Sequence, residues 1–447
     1  MNALQESNNH SLSYRDFLEK ASPGKNGDSN WLYEIKRSAY ERFKNVGLPT
    51  KKNEAWKYIN LDSVLNSTFS FLNKEKANIP NSSYEKALAP YFLNDTAHER
   101  IVFTNGVFSE NLSSIPKMPN GIILQNLKKN NSPIVKSHFE KNLTNETNPF
   151  VLINTFHFDD GILVYVPKNE LVQSPIHVLL AQLDDSLLSA TASDLRLIIV
   201  LDENAQASIV LDHISLSPKR CFMNIVTEIY LNHHAKLNWL NVQRETEETI
   251  HFHTIKCHQK ENSSFESLSF TQGGLLTRNE TFINFEEENA ACDLKGLTVI
   301  DENSQVFNHV TIDHAKAHCS SRQFFKNILA GSSKSEVNSL VHVYPNAQKS
   351  DSNQLLRNLL LSRSARAYSR PQLQIHADDV KATHGATTGQ LEQAELFYLK
   401  SRGLNEQLAR FILTYGFAEE IVEQISFPSI RTQVEEVVRQ AVERIVK

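Results

Sequence analysis

The sequence predicts a mainly β protein whose strand-rich centre is flanked by helical regions at both ends. Three observations support this prediction. Residues 150–388 consist of short strand-like runs separated by turn residues, without the pattern of a long helix. Small polar turn patches recur in the second half of this region, and patches two apart begin 30 to 32 residues from each other. After residue 390 the apolar period becomes helical.

These changes of period divide the chain into three regions. They are residues 1–149 (a mixed, partly helical N-terminal region), 150–388 (the β core) and 389–447 (a C-terminal helical domain). In the first region, apolar residues at three- to four-residue spacing predict a helix over residues 31–45. Trp56 and Tyr58 are expected to pack onto the core, because burial of large rings is stabilising. The pattern over residues 62–149 is mixed and assigns no clear structure.

The runs of the core alternate between apolar and polar residues. In one of them Val337, Ser339, Val341 and Val343 share a face, which predicts a buried face. The other runs are residues 161–166, 176–181, 195–201, 208–212, 222–231, 236–243, 250–257, 280–285, 306–312 and 323–329. The turn patches begin at Ala315, Gly331, Asn346, Arg363 and His376. A repeat of this length, made of two or three strands, indicates the coils of a β-solenoid, but the residues alone leave a large β-sandwich open.

Composition excludes several classes of partner. The net charge is −5, from 46 basic and 51 acidic residues, and no lysine and arginine run has the length of a nucleic-acid-binding patch. The first residues lack the pattern of a secretory signal, and the apolar runs are too short to cross a bilayer. The four cysteines are widely spaced, which fits free thiols in a reducing compartment. We therefore expect a cytoplasmic protein with no nucleic-acid or membrane partner.

The motifs of common catalytic and nucleotide sites are absent from the sequence. There is no G-x-x-x-x-G-K-[ST] loop, no G-x-G-x-x-G after a strand, no G-x-S-x-G elbow and no C-x-x-C pair. We expect no nucleotide site in this chain and no enzymatic activity of its own.

Histidine is the most frequent candidate functional residue, with 17 copies. On a strand, His251, His253 and Cys257 would point the same way, a spacing that could hold a soft metal ion. The simpler interpretation is that these side chains fill polar turns and β faces, because no cluster has the closed spacing of a dedicated zinc site. The other clusters are His233-His234 and, beside Cys319, His309, His314 and His318.

The most informative stretch, residues 370–420, joins the core to the helical end. Pro371 is expected to open a short strand with Leu373 and Ile375 on one face. The segment ADDVKATHGATTGQL then predicts a polar bend that contains His384 and two glycines. Three helices are expected after it, over residues 391–401, 405–424 and 430–446.

This stretch also carries a family resemblance. The run ADDVKATHGATTGQL, followed by LFYLKSRGLNEQLARFIL and GFAEEI, resembles the C-terminal signature of the SufB/SufD scaffold family of iron–sulfur cluster assembly, in particular its SufD branch. Near the N-terminus, KKNEAWKY resembles the E-x-W-K-Y box of the same family. The C-terminal match is highly specific, whereas the N-terminal box alone would be weak. The resemblance implies a right-handed parallel β-helix core with helical ends.

The resemblance also implies a function. It indicates a non-catalytic scaffold subunit of a complex that assembles and transfers iron–sulfur clusters, with a transient cluster or iron at a subunit interface. The implied partners are a SufB-like paralogue, paired through the β-helix bodies, and a SufC-like ABC-type ATPase whose closure would open that interface. A cysteine desulfurase system would be linked indirectly, and whether a flavin binds is left open. The residues expected to dock the ATPase are Phe397, Tyr398, Arg402, Gly403, Phe411 and Phe417.

By this resemblance, His384 is the candidate iron or cluster ligand at the partner interface. A neutral imidazole can bind iron at neutral pH, which makes the role chemically reasonable. The alternative is an imidazole bonded to Asp378 or Asp379 that only holds the bend. Family members commonly carry cysteine two residues earlier, where this chain has Ala382, so a thiolate would have to come from the partner or from a distant cysteine such as Cys319. The second-tier candidates are His376, Asp379 and Cys319.

Two other classes of function stay open at this point. A β-solenoid enzyme acting on acidic polysaccharides could use Asp378, Asp379 and Lys381 on one groove face, although such enzymes are usually secreted. A plain structural adaptor would show no metal dependence, and replacing His384 with alanine would leave its activity unchanged.

Overall fold

The computed structural model describes residues 11–23, 29–71, 82–93, 99–115, 121–127, 132–141, 143–158, 160–184 and 190–446. Its centre is a parallel β-solenoid formed by two facing sheets, of eleven and ten strands. Helices from both ends of the chain pack on these sheets. The mainly β fold is confirmed, and the solenoid is confirmed over the β-sandwich.

The strands of the two sheets alternate along the chain, so that each coil contributes one strand to each sheet. Sheet A contains β1 (Ser11–Ser13), β2 (Thr68–Phe71), β5 (Ile123–Asn126), β6 (Asp160–Val166), β8 (Thr191–Leu201), β10 (Cys221–Leu231), β12 (Thr249–Gln259), β14 (Leu276–Phe285), β16 (Gln305–His314), β18 (Lys334–Val343) and β20 (Arg366–Ile375). Sheet B contains β3 (Arg100–Thr104), β4 (Val107–Phe108), β7 (Ile176–Gln182), β9 (Gln206–Ser215), β11 (Lys236–Glu245), β13 (Ser264–Gly273), β15 (Ala291–Ile300), β17 (Ser320–Leu329), β19 (Asp351–Leu360) and β21 (Lys381–Gly389). From β6 onwards each strand pairs in parallel with the strand two further along the chain.

From β6 to β19, each coil turns from sheet A to sheet B at a residue with a left-handed backbone. The φ angles of these corner residues lie between 57° and 63°, and the residues are Asn169, Asn204, His234, Asn262, Asn289, His318 and Lys349. Asparagine is common among them because it tolerates positive φ better than most residues. The backbone N–H of each corner residue donates to a carbonyl in the next corner, as from His234 to Glu261 at 2.9 Å. The turn patches found in the sequence correspond to the corners of the solenoid. Patches at the corners from sheet A to sheet B alternate along the chain with patches at the corners from sheet B back to sheet A.

A corner substitution tests this conformational requirement. We expect Asn289→Val to lower the free energy of unfolding by about 2 kcal/mol, because a β-branched residue is strongly disfavoured at positive φ. Asn289→Gly is the matched control and should change it by well under about 1 kcal/mol, since glycine adopts this backbone freely. Urea-induced unfolding measures both. Equal losses in the two variants would contradict the backbone explanation.

The interior of the solenoid is apolar in some coils and polar in others. Val337, Ser339, Val341 and Val343 are all buried on one face of β18, as predicted. The strands that the sequence did not single out, β13, β15 and β19, carry polar residues on faces that the solenoid encloses. In β19, for example, the Gln354 amide donates to the Ser339 hydroxyl at 2.8 Å. Polar side chains paired inside the solenoid therefore mask the alternation on which strand prediction depends.

Helices of the N-terminal region pack on the outside of the solenoid, α4 on sheet B and the others mainly on sheet A. They are α1 (Tyr14–Lys20), α2 (Asn30–Val46), α3 (Asp62–Leu65), α4 (Ser82–Leu88), α5 (Pro133–His138) and α6 (Pro149–His157). Helix α2 confirms the helix predicted over residues 31–45. Trp56 is buried against Phe252, with the Arg278 guanidinium 3.8 Å from its ring centroid, and Tyr58 stacks on Tyr368 at 4.9 Å between centroids. Both aromatic residues thus pack on the solenoid as expected.

A buried ionic cluster joins this N-terminal region to the solenoid. The Arg196 guanidinium in β8 contacts the carboxylates of Glu140 and Glu228, the latter at 2.7 Å. The Lys256 ammonium lies 3.3 Å from Glu140. Burial opposes ionisation of Glu140, but the charges of Lys256 and Arg196 outweigh it and hold its pKa at about 2. Glu140 is therefore ionised at neutral pH, whereas burial raises the pKa of Glu228, and both carboxylates are almost fully enclosed.

Three C-terminal helices confirm the predicted helical end. They are α7 (Gln393–Ser401), α8 (Glu406–Val422) and α9 (Pro428–Val446). The Asn405 side chain caps α8 by accepting the Leu408 N–H at 2.8 Å. Helices α8 and α9 pack their apolar faces on the outer face of sheet B. In the part of the chain that the structure describes, no helix has the length and apolarity needed to cross a bilayer.

Candidate functional site

The last coil of the solenoid has two open strand edges. Strand β20 pairs with β18, and β21 pairs with β19. Among the described residues, no strand pairs with the other edge of either one. An open edge carries unpaired N–H and C=O groups, and another chain can pair with them. This end of the solenoid is therefore suited to strand pairing with a partner.

The structure corrects two predictions about this coil. Pro371 lies in the middle of β20 rather than at its start, a position that is tolerated because β20 is an edge strand. The predicted bend is mostly a strand: only residues 376–380 form the corner, and β21 follows. Strand β19 supplies backbone partners along the whole of β21, and this pairing overrides the turn preference of Gly385 and Gly389.

His384 lies on the interior face of β21, at the open mouth of the solenoid. It is directly opposite Gln354, whose side chain is fully buried in the interior. Because side chains alternate along a strand, Ala382 shares this face with His384. The imidazole of His384 is exposed, since no further coil covers it.

The imidazole of His384 is not held by the neighbouring carboxylates. Within the ranges that the structure describes, no hydrogen bond or ion pair joins it to Asp378 or Asp379. Asp379 instead forms an ion pair with Lys349. The nitrogen atoms of His384 are therefore accessible to a metal ion or to a partner chain.

The structure does not bring the second-tier residues together with His384. His376 and Asp379 lie in the corner before β21, with the His376 ring 5.4 Å from that of His342. Cys319 precedes β17, which is two strands away from β21 in sheet B. It is fully buried, and burial raises the pKa of its thiol to about 11. The other three cysteines are also buried, with the pKa of each thiol raised by burial.

Exposed apolar side chains lie on the first two C-terminal helices. Phe397 and Tyr398 in α7 are 73% and 60% exposed, and Leu408 and Ile412 in α8 are 42% and 40% exposed. We call these four residues the α7–α8 patch. Leu408 and Ile412 were not predicted as docking residues. They are four residues apart and therefore share one face of α8, next to the position of the buried Ala409, so the sequence spacing could have identified them. Large exposed apolar side chains on two helices that contact each other are typical of surfaces that bind partners.

The other residues expected to dock a partner divide into two groups. Arg402 and Gly403 form an exposed turn after α7, where Gly403 has a φ of 93°. Phe411 and Phe417 are half-buried and help to hold α8 on the solenoid. The Lys326 ammonium, for instance, lies 4.3 Å from the Phe417 ring centroid.

A second group of possible ligands lies inside the solenoid. One nitrogen atom from each of His213, His251 and His253 lies within 4.8 Å of the other two. His213 comes from β9 in sheet B, which is why sequence spacing did not reveal it, and the other two come from β12 in sheet A. Cys257 lies further along β12 within the apolar core. Burial, then the neighbouring His251, lowers the pKa of His213 to about 4, and burial also lowers that of His253.

The fold and these sites define a class of protein. It is a parallel β-solenoid with helices on both sheets, and its final described coil has open strand edges and an exposed imidazole, an arrangement that offers extended surfaces to partner chains. Family models identify it further: "SUF system FeS cluster assembly, SufBD core domain" matches residues 186–417, and "SufBD protein N-terminal region" matches residues 9–178. The chain belongs to the SufBD family of iron–sulfur cluster assembly proteins, which confirms the resemblance seen in its motifs.

Individual relatives match over most of their length. The chain is 30% identical over 418 residues to an iron-sulfur cluster assembly SufBD family protein of Synechocystis sp., a match covering 91% of this chain and 90% of that protein. It is 27% identical over 390 residues to the iron-sulfur cluster assembly protein SufD of Escherichia coli, covering 87% and 88% of the two chains. It is 25% identical over 440 residues to the protein ABCI7, chloroplastic, of Arabidopsis thaliana, covering 94% and 88%.

Proposed function

We propose that this protein is a SufD-like, non-catalytic scaffold subunit of a cytoplasmic SufBCD-type complex that assembles and transfers iron–sulfur clusters. The observation that carries the proposal is the exposed His384, which has no hydrogen-bond or ion-pair partner among the described residues, in a coil whose two strand edges are open within the same residues. Because the chain belongs to the SufBD family of iron–sulfur cluster assembly proteins, we interpret this exposed imidazole as a ligand for iron or a cluster.

The open edges of β20 and β21 would pair with a SufB-like paralogue. Main-chain hydrogen bonds along the two edges would supply affinity, as in other cases of strand addition. His384 would then face the partner and bind iron or the nascent cluster as transient cargo. Because Ala382 offers no thiolate and the cysteines of this chain are buried, thiolate ligands would come from the partner.

The C-terminal helices would dock a SufC-like ATPase. The α7–α8 patch offers the apolar contact area, and Arg402 in the adjoining turn adds a positive charge. Because α8 and α9 are packed on sheet B, these helices and the solenoid would move together as one rigid body when a docked ATPase moves.

Co-purification tests the proposal. The chain is co-expressed with a SufB-like and a SufC-like protein and purified anaerobically through a tag on this chain, and bound iron and sulfide are then measured. We expect both partners to co-purify together with iron and sulfide. Failure of both partners to bind would overturn the scaffold proposal and favour the solenoid-enzyme alternative. A complex that never holds iron would indicate a plain structural adaptor.

The docking surface can be tested separately. We expect the double substitution Phe397→Ser and Tyr398→Ser to reduce co-purification of the ATPase roughly tenfold or more, because two large apolar contacts are lost. Binding of the SufB-like partner should be unchanged. Leu171→Ser is the matched control, since Leu171 is 51% exposed but lies far from α7 in the chain and on another part of the solenoid. Equal ATPase binding by all three proteins would place the docking surface elsewhere.

A further inference from the structure

The group formed by His213, His251 and His253 is enclosed within the solenoid, and each imidazole is oriented by a separate polar partner. His213 Nε2 lies 2.8 Å from the Asn241 side-chain oxygen. His251 Nδ1 lies 3.2 Å from a Glu245 carboxylate oxygen. Because both of these oxygens accept hydrogen bonds, they fix the proton of each ring on the nitrogen that faces them.

The tautomers leave lone pairs without partners inside the protein. Among the described residues, His213 Nδ1 and His251 Nε2 are buried and make no hydrogen bond. His253 Nε2 bonds to the Thr227 hydroxyl at 2.9 Å. A buried polar atom without a partner is destabilising, so two such atoms in one group of rings need an explanation.

We propose that His213, His251 and His253 together bind one divalent first-row transition-metal ion, Zn²⁺ or Fe²⁺, inside the solenoid. Three neutral imidazoles suit both ions. The hydrogen bond from His251 to the Glu245 carboxylate is the support that a metal-binding histidine usually has, and the amide of Asn241 acts in the same way on His213. Bonds of 2.0–2.1 Å in a tetrahedral site require nitrogen atoms about 3.4 Å apart.

The surroundings leave room for a fourth ligand. A cavity inside the solenoid adjoins the group and is lined by His253, Asn241, Trp239, Ser269, Asn279 and Asn308. Its amide and hydroxyl groups can hold water, so the fourth position can be filled by a water molecule.

The proposed metal site is separate from the cluster-assembly surface. In sheet B, β9 and β21 are six strands apart, which corresponds to roughly 29 Å at about 4.8 Å per strand. The inference therefore does not depend on the proposed function, and variants of His384 should not affect it.

Metal binding to the purified full-length chain tests the proposal. Metal is first removed from the chain with a chelator. The chain is then titrated with Co²⁺ or Zn²⁺, with hours allowed for equilibration. Visible absorption detects bound Co²⁺, and elemental analysis measures the bound amount of either metal. We expect one equivalent of metal and Co²⁺ bands typical of nitrogen ligation. His213→Gln and His251→Gln should abolish this binding. Glu245→Gln should weaken it about 10- to 100-fold by removing the support of His251.

One control variant should bind metal like the wild type. His314→Gln alters another buried interior histidine, whose Nε2 bonds to Ser321 at 2.9 Å outside the group. The proposal is overturned if the wild type binds no metal, or if folded His251→Gln binds it as tightly as the wild type. If circular dichroism shows that the histidine variants do not fold, the Glu245→Gln variant decides the question. In that case, a metal affinity of Glu245→Gln equal to that of the wild type would overturn the proposal.

Discussion

Replacing Arg196 with methionine is expected to lower the free energy of unfolding by about 3–5 kcal/mol, because it removes the guanidinium that contacts both buried carboxylates and leaves Lys256 as their remaining counter-charge. Glu140 and Glu228 both contact the guanidinium, and neither can reach solvent. Methionine keeps much of the side-chain volume, so the loss reports on charge rather than on a cavity. Urea-induced unfolding of the two proteins measures the difference.

An exposed ion pair in the same solenoid provides the control. Arg322 lies 3.9 Å from Asp351, and both side chains are largely exposed. Arg322→Met should therefore change the free energy of unfolding by less than about 1 kcal/mol. A loss below about 1 kcal/mol for Arg196→Met would show that the buried carboxylates become protonated or reach other partners, contrary to the expectation.

The second large effect is expected for cluster assembly. In the complex purified through a tag on this chain, His384→Ala should retain both partners but lose most of its iron and sulfide. The substitution removes the exposed imidazole on the inner face of β21 and changes no backbone pairing. Anaerobic iron and sulfide analysis, normalised to the amount of complex, measures the effect.

Thr387→Ala is the matched control for His384→Ala. Thr387 is exposed on the same strand, but its side chain points to the opposite face. It should leave iron and sulfide unchanged. If His384→Ala also leaves them unchanged while the complex stays intact, His384 has a structural role and the cluster ligands lie in the partner.

The repeat of the fold could be predicted from the sequence because it depends on local signals. Corner residues such as Asn262 and Asn289 must adopt positive φ, so polar turn patches recur once per corner. The apolar stripes of α2 and of the C-terminal helices were likewise visible, since each helix packs one face on a sheet. Local conformation and one-sided burial leave a periodic trace in the sequence.

Features that depend on the neighbouring coil could not be predicted in this way. Strand β21 has the composition of a turn and becomes a strand because β19 is aligned beside it. His213 meets His251 only because two different sheets face each other across the interior. The identity of His384 as a candidate came from the motif, and its position at the open mouth of the solenoid came only from the strand register.

The open final coil has a thermodynamic consequence. In a stacked array each coil is stabilised by the coils on either side, and within the described residues the coil formed by β20 and β21 has such a neighbour on one side only. Its amide hydrogens should exchange faster than those of the inner coils, which reports a lower free energy of local opening. A partner that pairs with both edges would act as the missing neighbour, so that association would also protect this coil from exchange.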